Sequence, residues 1–259
     1  MTADAERKAR IKQDFIDARG YWSRGWDPLL DIAPDYFAAY AKLSSVPWRK
    51  DSLLEPKVKE LLYIAIDSST THMYEPGLRV HIRNALRYGA TRDEIMEVYQ
   101  LTSALGVHTI TMGVPALIET MRKVGRGAEV DAKTLTPHQE KLKADFIANR
   151  GYWSELWDGV LALSPEYFEA YGEFSSVPWK TGSLAPKVRE FVYIAIDAAT
   201  THLYEIGTRI HMENALRHGA TPVEIMEVLA LVSVLGVHTI SMGLPILLDE
   251  LNKAGTRAA

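Results

Sequence analysis

Pro56-Lys57-Val58-Lys59-Glu60-Leu61-Leu62-Tyr63-Ile64-Ala65-Ile66-Asp67 returns 130 residues later as Pro186-Lys187-Val188-Arg189-Glu190-Phe191-Val192-Tyr193-Ile194-Ala195-Ile196-Asp197. Proline fits the first turn of a helix, where its missing N–H has no partner to lose. In the helix that follows, Glu60, Tyr63 and Asp67 fall at i, i+3 and i+7 and so share one face of an otherwise apolar run; Glu190, Tyr193 and Asp197 repeat the arrangement. Reading outward, 41 of the 63 residues of 56–118 are identical in 186–248. Phe15-Ile16-Asp17-Ala18-Arg19-Gly20-Tyr21-Trp22-Ser23 likewise returns as Phe146-Ile147-Ala148-Asn149-Arg150-Gly151-Tyr152-Trp153-Ser154, and Ser44-Ser45-Val46-Pro47-Trp48 as Ser175-Ser176-Val177-Pro178-Trp179. Self-similarity on this scale marks a duplicated unit. We place the first repeat at 1–125 and the second at 138–259, with 126–137 as a polar linker.

Each repeat reads as helix throughout. Thr91-Arg92-Asp93-Glu94 is a capping box that opens a helix after Gly89, and Thr221-Pro222-Val223-Glu224 repeats it with Pro at N1. Ile95, Val98, Leu101, Thr102 and Leu105 follow the 3.6-residue period. No Asn-Gly or Asp-Gly hairpin signal flanked by alternating apolar residues occurs. The expected class is all-α. From Val228 to Leu248 the chain runs about 20 residues without Asp, Glu, Lys or Arg, long enough for a membrane span. Gly236, His238, Ser241, Gly243 and Pro245 within it favour two short buried helices meeting at a break, and 98–118 reads the same way.

Composition removes several function classes. The formal charge is −4 at pH 7, so no basic surplus drives nucleic-acid binding. There is no cysteine, which excludes disulfides, thiolate metal sites and thiol redox cycles. Met1 to Arg10 is charged and polar and does not read as a secretory signal. A cytoplasmic protein without membrane or nucleic-acid partners is expected.

Chemistry must then come from polar groups set among apolar ones. Six of the eight histidines occupy matched positions: His72/His202, His81/His211 and His108/His238. A carboxylate facing a packed interior is costly unless paired, and a shifted pKa there makes a general acid or base; Glu60 reads equally as support for its helix N-terminus. Tyr74, Gly77 and His81, like Tyr204, Gly207 and His211, fall at i, i+3 and i+7 on the next helix. Imidazole titrates near neutrality, so His81 and His211 are the natural proton carriers, against the alternative of satisfied core histidines. Thr70-Thr71-His72 reads as an interhelix junction with His72 at the rim of a cavity, while His108 and Met112 face the core. Glu75–Arg79 and Glu205–Arg209 are i,i+4 pairs that also read as solvated braces. The six tryptophans read as core and interface anchors.

Lys59-Glu60-Leu61-Leu62-Tyr63-Ile64-Ala65-Ile66, the His81 helix, and Gly89-Ala90-Thr91 followed by Glu94-Ile95-Met96-Glu97-Val98 resemble the carboxymuconolactone decarboxylase family, within the alkyl hydroperoxidase D-like superfamily. The resemblance covers roughly 55–120 and 185–250 and implies an alkyl hydroperoxidase D-like helical bundle in two tandem copies. The superfamily's peroxidases are similar in a C-x-x-C pair followed by His; here the cysteine positions hold Tyr74 and Gly77, or Tyr204 and Gly207, so peroxidase activity is not implied. The decarboxylases are similar in using neither metal nor organic cofactor. That resemblance implies a lyase or isomerase acting on a small carboxylated lactone or related organic acid from aromatic-compound breakdown. Its catalytic groups would be His81, Glu60, His211 and Glu190. Arg79 or Arg209 would seat the substrate carboxylate, and Tyr74, His72, His108, Tyr204, His202 and His238 would contact substrate. The family also implies oligomers, here a trimer imitating a hexamer. Two alternatives stay open: a metal-dependent enzyme with ligands from His72, His81 and His108, although no H-E-x-x-H spacing is present, and a non-catalytic ligand-binding oligomer.

Overall fold

The protein, seen here as a computed structural model, is described over residues 2–130 and 134–255. The expected linker at 126–137 thus lies partly outside the described residues, at 131–133. The first repeat contributes α1 (Ala3–Arg19), α2 (Asp27–Ile32), α3 (Pro34–Ser44), α4 (Pro56–Ser68), α5 (Glu75–Arg87), α6 (Arg92–Ser103) and α7 (His108–Lys123). The second contributes α8 (Pro137–Arg150), α9 (Leu156–Leu163), α10 (Pro165–Thr181), α11 (Pro186–Ala198), α12 (Glu205–Arg217), α13 (Pro222–Ser233) and α14 (His238–Lys253). No strand occurs among the described residues. The fold is all-α in two tandem copies.

Local chemistry sets the boundaries. Pro56 and Pro186 open α4 and α11, and both Thr91–Glu94 and Thr221–Glu224 form complete capping boxes at α6 and α13. Gly20 and Gly151 end α1 and α8 in the left-handed conformation that suits glycine.

The repeats do not have separate cores. Leu61, Leu62, Ile64 and Ile66 of α4 pack in one apolar cluster with Phe191, Val192, Ile194 and Ile196 of α11, all at most 1% exposed, so the two central helices bury their apolar residues against each other. Truncating one buried Leu or Ile of this shared seam to Ala should cost about 2–5 kcal/mol. The outer helices are exchanged. Ile110 and Val114 of α7 pack on Phe146, Trp157 and Phe168 of the second repeat, while Ile240 and Leu244 of α14 pack on Phe15, Leu30 and Phe37 of the first. Two buried or half-buried carboxylates lock the exchange. Glu97 of α6 accepts hydrogen bonds from the Ser183 and Leu184 amides and from Arg189 Nε, and Glu227 of α13 accepts from the Leu53 and Leu54 amides and the Ser52 hydroxyl.

The segments 92–123 and 222–253 are long and apolar enough to cross a membrane by length and composition alone. Each is two helices joined by a 3-10 turn, at Ala104–Val107 and Val234–Val237, which is the break that the sequence suggests. The expectation that both halves are buried needs correction. In α7 only Thr111 is buried, and α14 has no buried residue, so Met112, Leu117, Met242, Ile246 and Leu247 are exposed. Their inward faces serve the exchange and their outward apolar faces are left uncovered.

Candidate functional site

The exchange builds two sites, each completed by the other repeat. In the first, Glu60 projects from the interior face of α4 and is fully buried; its Oε2 lies 2.6 Å from His81 Nδ1 of α5, and its Oε1 accepts from Asn84 Nδ2 at 3.2 Å. A carboxylate facing Nδ1 leaves Nε2 as the ring atom available to a reactant. Tyr63 stacks on the His81 ring, with centroids 4.4 Å apart. In the second site Glu190 Oε2 and His211 Nδ1 are again 2.6 Å apart and Tyr193 stacks on His211 at 4.4 Å.

One turn beyond Tyr63, Asp67 is 1% exposed. Burial raises its carboxyl to about 7; His81 offsets part of the rise and the Glu60 charge adds to it, and Asp197 behaves alike with His211 and Glu190. Gly77 is the reason this carboxylate has room: a Cβ built there would overlap Asp67 Oδ2, as one on Gly207 would overlap Asp197 Oδ2. Between α4 and α5, Met73 takes φ 52°, and Leu203 takes φ 53° in the copy. Such positive φ values strain bulky residues and hold the junction in a fixed shape. The Tyr74 amide donates to the Asp67 carbonyl across the bend, and the His72 and Tyr74 rings lie 5.8 Å apart.

The histidines pair across the repeats. His72 Nε2 lies 2.8 Å from His238 Nδ1, and His202 Nε2 lies 2.6 Å from His108 Nδ1. Tyr74 stacks on His238 at 3.9 Å and shares a 2.6 Å hydroxyl contact with Ser241; Tyr204, His108 and Thr111 match this. Burial and the neighbouring histidines hold His238 and His108 down to about 3. This corrects the grouping of His72, His81 and His108 as one ligand set: α7 leaves its own repeat, so His108 serves the second site and His238 the first. Asp67, His72 and His238 place one oxygen and two nitrogens within 4.8 Å of one another, as do Asp197, His202 and His108; these are the side chains able to hold a metal ion.

A cavity of about 150 Å³ adjoins the first site, walled by His81, Tyr63, Tyr74, His238, Trp26 and Arg19 among others. His72 is half-buried behind this wall and does not line it. Arg79, expected to seat a carboxylate, does not reach the cavity: it is exposed and bonded to Glu75, as Arg209 is to Glu205. The i,i+4 geometry on a solvated face explains the correction. The cation in the cavity is Arg19, 3% exposed, which donates from Nη1 to the Ser44 carbonyl, lies over the Trp48 ring at 4.7 Å, and has an Nε without a hydrogen-bond partner. Arg150 repeats this beneath Trp179 in the second cavity. Sequence reading missed both arginines, although the shared Arg-Gly-Tyr-Trp-Ser run contains them; the signal was a buried-type aromatic run enclosing an unpaired cation.

The model of the carboxymuconolactone decarboxylase family matches residues 34–117 and 165–237. A crystal structure from Burkholderia xenovorans, provisionally named a gamma-carboxymuconolactone decarboxylase subunit, is 44% identical and covers 95% of this chain and 98% of its own, with a TM-score of 0.90. No curated protein matches the sequence. With both repeats matched and the likeness running nearly end to end, the chain belongs to the carboxymuconolactone decarboxylase family.

Proposed function

We propose that the protein is a lyase that decarboxylates a small carboxylated lactone or related organic acid, with His81 and His211 as the proton carriers. The observation that carries this reading is the buried Glu60–His81 pair facing a cavity that also holds the Arg19 guanidinium. Decarboxylation breaks a C–C bond, releases CO2 and leaves an electron pair on the former α-carbon, which a proton must quench. Arg19 supplies the fixed positive charge for an anionic substrate, in a low-dielectric wall where such a charge acts strongly. His81 Nε2 delivers the proton to carbon while Glu60 holds Nδ1 and stabilises the imidazolium before transfer. Arg150, His211 and Glu190 repeat the set. The family match and the name of the Burkholderia protein support the decarboxylase class. The uncovered apolar residues on α7 and α14 support assembly of several copies, and a trimer is our proposal for it.

The test is the double variant His81→Gln/His211→Gln against a panel of carboxylated lactones and enones. Loss of a proton carrier typically costs about 10²–10⁴-fold in rate, and the variant should show that loss while keeping its helical content and assembly. Wild-type turnover in the double variant would overturn the assignment.

A further inference from the structure

We propose that Asp67, His72 and His238 form a binding site for a first-row divalent transition-metal ion, and that Asp197, His202 and His108 form a second, giving two ions per chain, each bridging the two repeats. The inference rests on the geometry of the donors and stands apart from the proton-transfer reading.

In the first site the donor atoms are His72 Nε2, His238 Nδ1 and Asp67 Oδ1. The nitrogens are 2.8 Å apart and each lies 3.8 Å from the carboxylate oxygen. A triangle with those sides has its centre about 2 Å from every corner, the length of Zn–N and Zn–O bonds. In the second site His108 Nδ1 and His202 Nε2 are 2.6 Å apart, Asp197 Oδ1 lies 3.6 Å from the other nitrogen of His108, Nε2, and one donor atom from each of the three residues falls within 4.8 Å of the others.

The hydrogen bonding points the same way. A shared proton satisfies two facing imidazole nitrogens and nothing else. The carboxylates gain nothing from it: Asp197 Oδ1, the oxygen facing the second histidine pair, is buried without a donor, as are the outer oxygens Asp67 Oδ2 and Asp197 Oδ2. A buried carboxylate with no partner is costly, whereas one cation in the centre satisfies the oxygen and both nitrogens together. The surroundings are fixed in advance. Gly77 makes space for the Asp67 side chain, Tyr74 stacks on the His238 ring, and the bend at Met73 sets where His72 points. Two imidazoles and one carboxylate suit zinc, cobalt, nickel or ferrous iron better than calcium or magnesium, which prefer all-oxygen sites. Three protein ligands leave further positions open, and one of the three, His238, also lines the cavity.

The experiment uses the full chain, stripped with chelator, then equilibrated with Co(II) or Zn(II) and assayed for bound metal after dialysis. Wild type should take up two equivalents per chain, His238→Gln one, and His108→Gln/His238→Gln none; cobalt should show the visible bands of a nitrogen-ligated ion. Ser241→Ala, which removes the Tyr74 contact and the long bonds to the Val237 and His238 carbonyls but none of the donor atoms, should retain two. If the histidine variants fail to fold, Asp67→Asn/Asp197→Asn serves instead and should lose both ions. Less than one equivalent in folded wild type, or two equivalents in the double histidine or double aspartate variant, would overturn the proposal. His81→Gln/His211→Gln should still bind two, so failure of the metal site and failure of the proton-transfer reading are separable.

Discussion

The two cavities carry the same chemistry in different volumes. Each has a buried Glu–His pair, an aromatic-shielded arginine and a borrowed histidine, yet the first encloses about 150 Å³ and the second about 50 Å³. The walls explain the difference. Where the first cavity has Gly25, Val80 and Ser241, the second has Leu156, Ile210 and Thr111, and only Ala104 in place of Val234 works the other way. Duplication has therefore kept the Glu–His pairs, the arginines and the borrowed histidines fixed and varied the space around them. That separation divides what should be equal between the sites from what should differ.

The largest expected effect is one in which the copies agree. Asp67 and Asp197 are both raised by burial from 3.8 to about 7. Between those values the folded protein binds more protons than the unfolded chain, so stability falls as pH rises through this window and the loss is complete above about pH 7. In metal-free protein the penalty is on the order of 4 kcal/mol per carboxyl at pH 8, taking 1.36 kcal/mol per unit. Urea denaturation from pH 4 to 8 should show this decline as the difference between wild type and Asp67→Asn/Asp197→Asn, and half of it as the difference from either single variant; the depressed His108 and His238 raise stability with pH between about 3 and 6.5 in every chain and so cancel in the difference. Unequal single variants would mean that the copies differ in their carboxylates as well as in their walls.

Next comes the effect in which the copies should differ. Leu156→Gly should open the second cavity and Gly25→Leu should close the first. Each change should shift the second or first site's preference for bulky over compact acids by about 10-fold in kcat/KM, the scale on which pockets discriminate small apolar groups. Measuring each substitution in a chain whose other site carries the His→Gln change isolates the response. An unchanged preference would assign the volume difference no role in selection.

How far the sequence disclosed this arrangement depends on whether the information was local. Helix class, caps and duplication were legible because Pro56, Thr91–Glu94 and a 3.6-residue period act within a few residues of themselves. The Glu60–His81 pairing was legible as two candidate faces on successive helices. The borrowed histidines were not, since nothing in 104–112 states that α7 leaves its repeat; His108 reads the same on either partner. Arg79 attracted attention as an arginine beside a functional face, whereas Arg19 sat in a run that reads as packing. Burial separates the two arginines, and burial is a property of the assembled core.

The smallest effect tests the remaining asymmetry around the buried Glu–His pair. Asn84 donates to Glu60 Oε1, but Glu190 Oε1 and Asn214 Nδ2 are both buried without a hydrogen-bond partner. A buried hydrogen bond to a charged group contributes about 1.5–3 kcal/mol, so Asn84→Ala should lower unfolding free energy by about that amount. Asn214→Ala removes a donor that satisfies nothing, and its cost should stay below about 1 kcal/mol because only packing is lost. Denaturation of the two variants side by side distinguishes the cases. Equal losses would show that Asn214 reaches Glu190 in solution and that the carboxylate is held identically in both copies, leaving the cavity walls as the whole difference between them.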